Sequence, residues 1–408
     1  MDQNSSKSNL VVQKYGGTSV GTIDRIKCVA AHIADTVRKG EQVVAVISAM
    51  GNHTDELLGM AHSISKNPRR REIDMLLTAG ERISMALVSI ALNDLGQKAI
   101  SLTGSQSGII TDTVHGNARI ARIGAFRIQE NLAQGQVVIV AGFQGVSGES
   151  KEVTTLGRGG SDLSAIALAG ALGARRCQLY KDVDGVFSAD PRMVTSAKTI
   201  RQISWDAMTM MAWSGASVLH PRGAHLAANF NIPVEIRSSF QLGREGTLVC
   251  GRENMERVVV QAITHKENMV LLKGLLSQQG QRAAKADDIL GKLRMNLWQQ
   301  GETPQVQTQM SRTDGLKFCW SMPKALAAES ITFLAENGLP SSGTSVEDCG
   351  IITVIGSGFW QSPETLDTLR AVIQDPLLLD VKNNALTIAV KANQMSDVVK
   401  ALHKALIG

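Results

Sequence analysis

The densest chemistry in this chain lies in Thr154-Thr155-Leu156-Gly157-Arg158-Gly159-Gly160-Ser161-Asp162. One arginine, several glycines, hydroxyls and a carboxylate share a single turn, directly before an Ala/Leu-rich helix expected from Leu163 to Leu172. Glycines let backbone N–H groups converge, and a helix start adds the positive end of its dipole. Such a turn suits an anion, and Arg158 adds a planar fork that fits a carboxylate or phosphate. The other reading of this segment alone is a flexible loop with a serine or aspartate helix cap.

Two further clusters have similar character. Lys14-Tyr15-Gly16-Gly17-Thr18-Ser19 places a lysine at a strand end, followed by glycines and hydroxyls. Lysine there acts as a point charge on terminal phosphates, or is a surface residue before a tight turn. Lys181-Asp182-Val183-Asp184-Gly185-Val186-Phe187 follows the apolar run Cys177 to Tyr180 and continues into Ser188-Ala189-Asp190-Pro191-Arg192. Carboxylates at a strand end can orient a magnesium–nucleotide complex, with Arg192 able to reach phosphate. Asp184 and Asp190 read equally well as turn formers, which leaves Asp182 as the more informative carboxylate. No GxxxxGK[ST] loop is present and no GxGxxG follows a strand, so a P-loop GTPase or a Rossmann dehydrogenase is disfavoured. His53 and His115 sit in polar turns without spaced partners, and His220 before Pro221 reads as a structural residue at a helix boundary. Neither a histidine nor a cysteine metal site is expected.

These clusters need a frame, and the first part of the chain supplies one. Leu10-Val11-Val12, Val43 to Ile47 and Val137 to Val140 are short apolar runs that alternate with helical stretches, the rhythm of a parallel α/β sheet. Continuous runs of this kind fit strands covered on both faces, and ligands collect beyond the carboxyl ends of such strands. A long helix is expected from Ile73 to Asn93, with Ala79, Ile83, Ala86, Leu87 and Ile90 on its apolar face. Glu81 lies about 200° around that helix from Ala79, so periodicity alone makes it a solvated surface residue.

Near Arg244-Glu245-Gly246-Thr247 the pattern changes to shorter strands and helices, expected as two small α+β modules. The expected elements are a strand at Met269 to Leu272, a helix about Ala283 to Trp298, and strands near Val306 and Phe318. A helix from Lys324 to Glu336, a strand from Ile351 to Ile355 and a helix about Glu364 to Gln374 follow. Strands near Leu378 and Leu386 and a last helix from Ser396 to Leu406 complete the order. The polar stretches Ser277 to Gln281 and Gln299 to Arg312 read as surface loops.

Composition limits the function classes. The 408 residues are 43% hydrophobic, 19% charged and only 4% aromatic, with a net charge of +5. That is a globular composition, without the basic runs or stacking aromatics of a nucleic-acid binder. Five scattered cysteines fit a reducing compartment. A polar start without a signal-like apolar core, and no apolar run of about 20 residues, imply a cytoplasmic location and no membrane partner.

In sequence order, these residues resemble the aspartate kinases of the amino-acid kinase superfamily over residues 10 to 250. The resemblance rests on Lys14-Tyr15-Gly16-Gly17-Thr18-Ser19-Val20, Ser48-Ala49-Met50-Gly51, Thr54-Asp55-Glu56-Leu57 and Thr78-Ala79-Gly80-Glu81. Gly142-Phe143-Gln144-Gly145, the turn around Arg158, and Asp182 through Arg192 complete it. It implies a catalytic domain over 1–250, an amino-acid-kinase-like parallel-sheet sandwich, and C-terminal α+β ACT-like tandem modules over 251–408 with degenerate effector loops. It implies ATP-dependent phosphorylation of the L-aspartate side-chain carboxylate, the entry step to lysine, threonine and methionine, with Mg2+ carried mainly by the ATP phosphates.

By the same resemblance Lys14, Arg158 and Asp162 are the catalytic set. Thr54, Glu81, Arg158, Gly159, Gly160 and Ser161 bind aspartate, with Glu81 on its ammonium group. That reverses the surface reading of Glu81. Lys14, Tyr15, Gly16, Gly17, Ser48, Lys181, Asp182, Phe187, Arg192 and Ser217 bind the nucleotide. The family usually has lysine where Ser217 stands and often tyrosine where Phe187 stands, and its Pro-Gly effector turn is missing after Met269 to Leu272. A catalytically weakened amino-acid-sensing or scaffold protein of the same fold is the alternative. A lysine or threonine effector and a homodimer or dimer of dimers are the remaining implications.

Overall fold

The computed structural model describes residues 8–251, 259–276, 288–289, 291–295, 297, 305–311, 315–337, 344–359, 362–382 and 384–408. The chain forms two compact units. The first comprises residues up to Val186, Thr199–Ala212 and Ser217–Asn254; the second comprises Phe187–Lys198, Trp213–Ala216 and Met255–Gly408. The division is therefore no single cut near residue 250, because two stretches that precede it belong to the second unit.

The first unit opens with β1 (Leu10–Tyr15), α1 (Ile23–Arg38), β2 (Gln42–Ile47), α2 (His53–Ile64), α3 (Arg70–Asp94) and β3 (Ala99–Leu102). β4 (Ile109–Thr111), β5 (Ile120–Ile123), α4 (Phe126–Ala133), β6 (Val137–Ala141), β7 (Gln144–Ser147) and β8 (Val153–Thr155) follow. Next come α5 (Gly160–Ala171), β9 (Arg176–Lys181), and short strands β10 (Val186–Phe187) and β11 (Thr199–Ile200) at the ends of the segment that belongs to the second unit. β12 (Gln202–Ser204), α6 (Trp205–Trp213), α7 (Pro221–Phe230), β13 (Val234–Ser238) and β14 (Thr247–Cys250) finish it.

The main sheet has the order β12-β14-β13-β9-β1-β2-β6-β3, with β1 parallel to both β2 and β9. Its apolar strands are covered on both faces, as their unbroken hydrophobicity requires. Strand alternation splits β1: Gln13 bonds Thr36 on α1, whereas Lys14 meets Asp162 on α5. On the α1 side, Ile26, Val29, Ile33, Met85, Val88 and Leu92 pack against Val43, Ala45, Ile47 and Ile139. On the other side α5 is buried from Gly160 to Ala169, consistent with a helix apolar all round.

The long helix α3 corrects one expectation. Its buried residues are Asp74, Leu77, Thr78, Gly80, Glu81, Ser84, Met85, Val88, Ser89 and Leu92. Ile83 and Ile90, on the stripe expected to face the core, are 49% and 64% exposed. The physical reason is close approach: a Cβ on Gly80 would lie 2.8 Å from the Ala49 Cβ, so small residues face inward there. By length and composition α3 is also the one helix among the described residues apolar enough to cross a membrane, but half of its apolar window is buried inside the unit.

The second unit carries β15 (Val259–Leu276), β16 (Gln305–Ser311), β17 (Gly315–Pro323), α8 (Ala327–Glu336) and β18 (Ser345–Ser357). It ends with α9 (Pro363–Val372), β19 (Leu378–Lys382), β20 (Ala385–Lys391) and α10 (Met395–Leu406). Residues 288, 289, 291–295 and 297 are helical, and the remainder of the helix expected over 283–298 lies outside the described residues. One antiparallel sheet, β16-β17-β15-β18-β20-β19, joins two α+β modules through β15 and β18, the ACT-like tandem. The strand expected near Val306 is the edge strand β16, which pairs with β17, so 305–311 of the polar stretch 299–312 is not loop. Positions 277–281, 299–304 and 312 lie outside the described residues.

Candidate active site

Lys14 and Lys181 stand on neighbouring parallel strands, β1 and β9, near their carboxyl ends. Both reach Asp162 in the first turn of α5: Lys14 Nζ lies 2.8 Å from Oδ1, and Lys181 Nζ donates to Oδ2 at 2.7 Å. Burial opposes a charge on Asp162, yet the two ammonium groups outweigh it and hold its carboxyl well below the usual range. Burial likewise lowers the Lys14 pKa, against the pull of Asp162. Within this cluster two cations face one carboxylate, with the exposed Asp182 carboxylate exerting a weaker pull on Lys14. A buried excess charge is costly until a counter-ion arrives, so the site is built for an anion.

Glycines bring backbone to that charge. A Cβ on Gly16 would lie 3.5 Å from Lys14 Nζ, and one on Gly17 would lie 2.9 Å from the Ala49 carbonyl oxygen. Gly51 N–H donates to the Gly17 carbonyl at 3.0 Å, locking the turn after β1 to the turn after β2. Gly159, at φ +73°, is the N-cap of α5, and no side chain caps that helix. Ser161 and Asp162 are thus inside the first turn and do not cap it. Arg158 is exposed, with no hydrogen-bond or ion-pair partner among the described residues. His220 backs the turn, since a Cβ on Gly159 would lie 2.6 Å from its own, and its Nδ1 accepts the Arg222 N–H at 3.2 Å to cap α7.

Glu81 is 3% exposed. Its Oε1 accepts the Ala49 N–H at 3.3 Å, while Oε2 is buried without a partner. Burial raises its pKa from 4.5 to about 7, with the backbone hydrogen bonds opposing. A buried carboxylate with one unpartnered oxygen is the complement of a ligand ammonium group. Thr54, partly buried near the start of α2, follows the Ala49 turn.

The remaining expected residues divide. Ser48, partly buried, donates its N–H to the Tyr15 carbonyl at 3.1 Å. The Tyr15 side chain is a correction: it is fully buried on the α1 side, stacked on Tyr180 at 4.8 Å between centroids, so strand alternation removes it from the Lys14 face. Asp182 is exposed just beyond β9, and Ser217 is exposed between α6 and α7. Phe187 and Arg192 belong to the second unit, and Arg192 Nη2 is 2.6 Å from Asp190 Oδ2. The described residues contain no group of three or more His, Cys, Asp or Glu placed to hold a metal.

Sequence reasoning missed Asp74, His115 and Arg222. Asp74 is fully buried and 2.6 Å from His115 Nδ1, although His115 had no partner by spacing. Its position seven residues before Glu81, on the same helical face, was the available signal.

A family model described as the amino acid kinase family matches residues 9–238. The aspartokinase of Geobacillus stearothermophilus is 39% identical over 408 residues, covering 97% of each chain. The crystal structure of E. coli aspartokinase III with aspartate and ADP, in its R-state, matches 98% of this chain and 100% of its own at TM-score 0.81 and 23% identity. The same protein with lysine and aspartate, in its T-state, matches at TM-score 0.72 and 24% identity, over 98% of this chain and 100% of its own. The chain belongs to the amino acid kinase family, among its aspartokinases.

Proposed function

We propose that the protein is an aspartate kinase, transferring the γ-phosphoryl group of ATP to the side-chain carboxylate of L-aspartate to give 4-phospho-L-aspartate and ADP. One observation carries the reading: the over-cationic Lys14–Asp162–Lys181 cluster shares its turn with an unpaired Arg158, in the same unit as the buried Glu81 carboxylate, whose Oε2 has no partner. The first suits a polyphosphate. The second and third suit the carboxylate and ammonium of a free amino acid. Aspartokinase relatives matched over nearly the whole chain support the choice of aspartate.

The attacking carboxylate is already ionised, with a free pKa of about 3.9, so no general base is required. Catalysis is then positioning and charge dispersal. An aspartate carboxylate oxygen forms the new bond to phosphorus as the bond to the β–γ bridging oxygen breaks, and that oxygen leaves with ADP. Lys14 and the Gly16–Gly17 backbone hold the transferring group, with Lys181 beside it and Asp162 fixing both ammonium positions. Arg158, with the Gly159, Gly160 and Ser161 backbone, holds the amino acid's carboxylate. Glu81 takes the ammonium and Thr54 helps orient it. Ser48, Asp182 and Ser217 are the proposed nucleotide contacts from the first unit. Magnesium, when bound on the nucleotide, neutralises phosphate charge.

A lysine effector on the ACT-like tandem and a dimer built through it belong to the same proposal; the lysine-bound E. coli relative supports the effector. The test is hydroxamate trapping with ATP, Mg2+, hydroxylamine and a panel of acids. Product with aspartate alone supports the reading. Product only with another acid, or aspartate binding without product, would overturn it.

A further inference from the structure

We infer that Asp74 is a positioning residue for aspartate, because its buried carboxylate fastens the root of the Arg158 turn to the helix that carries Glu81. This rests on the proposed function. Asp74 and Glu81 are seven residues apart on α3, about two turns, and both point inward. Asp74 is 0% exposed and 2.5 Å from Thr155 Oγ1, which donates to its Oδ1. The Gly116 N–H donates to both carboxylate oxygens at 3.1 and 3.2 Å, and His115 Nδ1 lies 2.6 Å from Oδ2. Each of these partners lies outside α3. Thr155 ends β8, and the chain then runs Leu156-Gly157-Arg158.

A second anchor grips the same turn from its other side. Arg222 Nη1 donates to the Leu156 carbonyl at 2.7 Å and to Asn117 Oδ1 at 2.9 Å, and Nη2 donates to the Ala118 carbonyl at 2.8 Å. The Ala118 N–H donates to the Thr155 carbonyl at 2.8 Å, so segment 115–118 lies between the two anchors. Arg158 itself has no protein partner to steer it among the described residues, so its backbone root must set where it can reach. Asp74 thus couples the two ends of the amino-acid clamp. Its loss should loosen aspartate while leaving the Lys14–Asp162–Lys181 cluster intact.

The experiment is steady-state kinetics on the full chain, with Tm measured for every variant. Asp74→Asn removes the charge that gathers these donors, and Thr155→Val deletes one donor. Each is expected to raise the aspartate KM about tenfold, the scale for losing a charged buried hydrogen bond, with the ATP KM within about twofold. Thr155→Ser, which keeps the hydroxyl, should stay near wild type, and the Asp74→Asn/Thr155→Val double variant should be no worse than Asp74→Asn alone. An unchanged aspartate KM in folded Asp74→Asn, or aspartate and ATP KM rising together, overturns the role. If Asp74→Asn does not fold, Thr155→Val decides by the same criteria. Wild-type protein that makes no aspartyl hydroxamate removes the proposed function itself, whereas wild-type turnover with unmoved variants removes only the positioning role.

Discussion

Glu81 and Asp162 are both buried carboxylates, and their surroundings drive them in opposite directions. Asp162 has two lysines and stays ionised; Glu81 has one backbone donor and titrates at about 7. A ligand ammonium needs the ionised form of Glu81. The aspartate KM should therefore rise about tenfold for each pH unit below about 7 and be flat above it. Glu81→Gln should raise the KM throughout and abolish that slope; a slope that survives the substitution would remove Glu81 from the binding step. Its raised pKa also favours folding below the unfolded value of 4.5, a contribution lost as pH climbs through 7. Asp162 works in the other sense: its stabilisation is present above its unfolded value of 3.8 and drains away as pH falls through its lower folded value. Asp162→Asn leaves the buried Lys14 and partly buried Lys181 ammonium groups without their anion, at a cost of about 3–5 kcal/mol readable as a lower denaturation midpoint. Arg158→Ala should raise the aspartate KM sharply and leave ATP binding nearly intact, since its exposed side chain supports no other group among the described residues.

In the proposed function, helix α3 carries Glu81 on the amino-acid side of the site. It buries Leu77, Met85, Val88 and Leu92 together with small and polar residues, and leaves Ile83 and Ile90 outside, so its buried face is not the apolar stripe that periodicity selects. Close packing against Ala49 brings Glu81 next to the turn after β2. Substitutions should follow the observed faces. Val88→Ala and Leu92→Ala, both 0% exposed, should lose about 1–4 kcal/mol in denaturant unfolding, whereas Ile83→Lys should stay within about 0.5 kcal/mol. A large loss at Ile83 with little at Leu92 would restore the sequence-derived stripe and reject the observed orientation.

The two units interlace along the chain. Ala189 and Val194 lie in a core with Ile263, Val354 and Leu402, and Ser188 Oγ is 2.9 Å from His403 Nε2. Residues 187–198 are thus structural parts of the second unit although they follow β9 directly in sequence. A fragment ending at residue 254 should expose those apolar side chains. It is expected to bind a hydrophobic dye, elute as aggregate in size exclusion and be cut first within 187–198 by protease. A monodisperse, protease-resistant fragment would show that this segment needs nothing from the second unit.

Short apolar runs ending in glycine, hydroxyl and charge made the parallel sheet and its reactive rim readable residue by residue, because strands and turns are encoded by neighbours in the chain. Lys14, Arg158 and Asp162 stood out for that reason, and so did the order of elements in the C-terminal tandem. Periodicity misjudged α3, because which helical face is buried depends on how closely another backbone approaches, as Ala49 approaches Gly80. Tyr15 followed its neighbour Lys14 in the motif but is turned away by strand alternation. Asp74 found His115 and Thr155 across separations of 41 and 81 residues, a meeting that no local spacing records. Only packing brought these groups together, because a buried charge takes its partners from whatever segments the fold delivers.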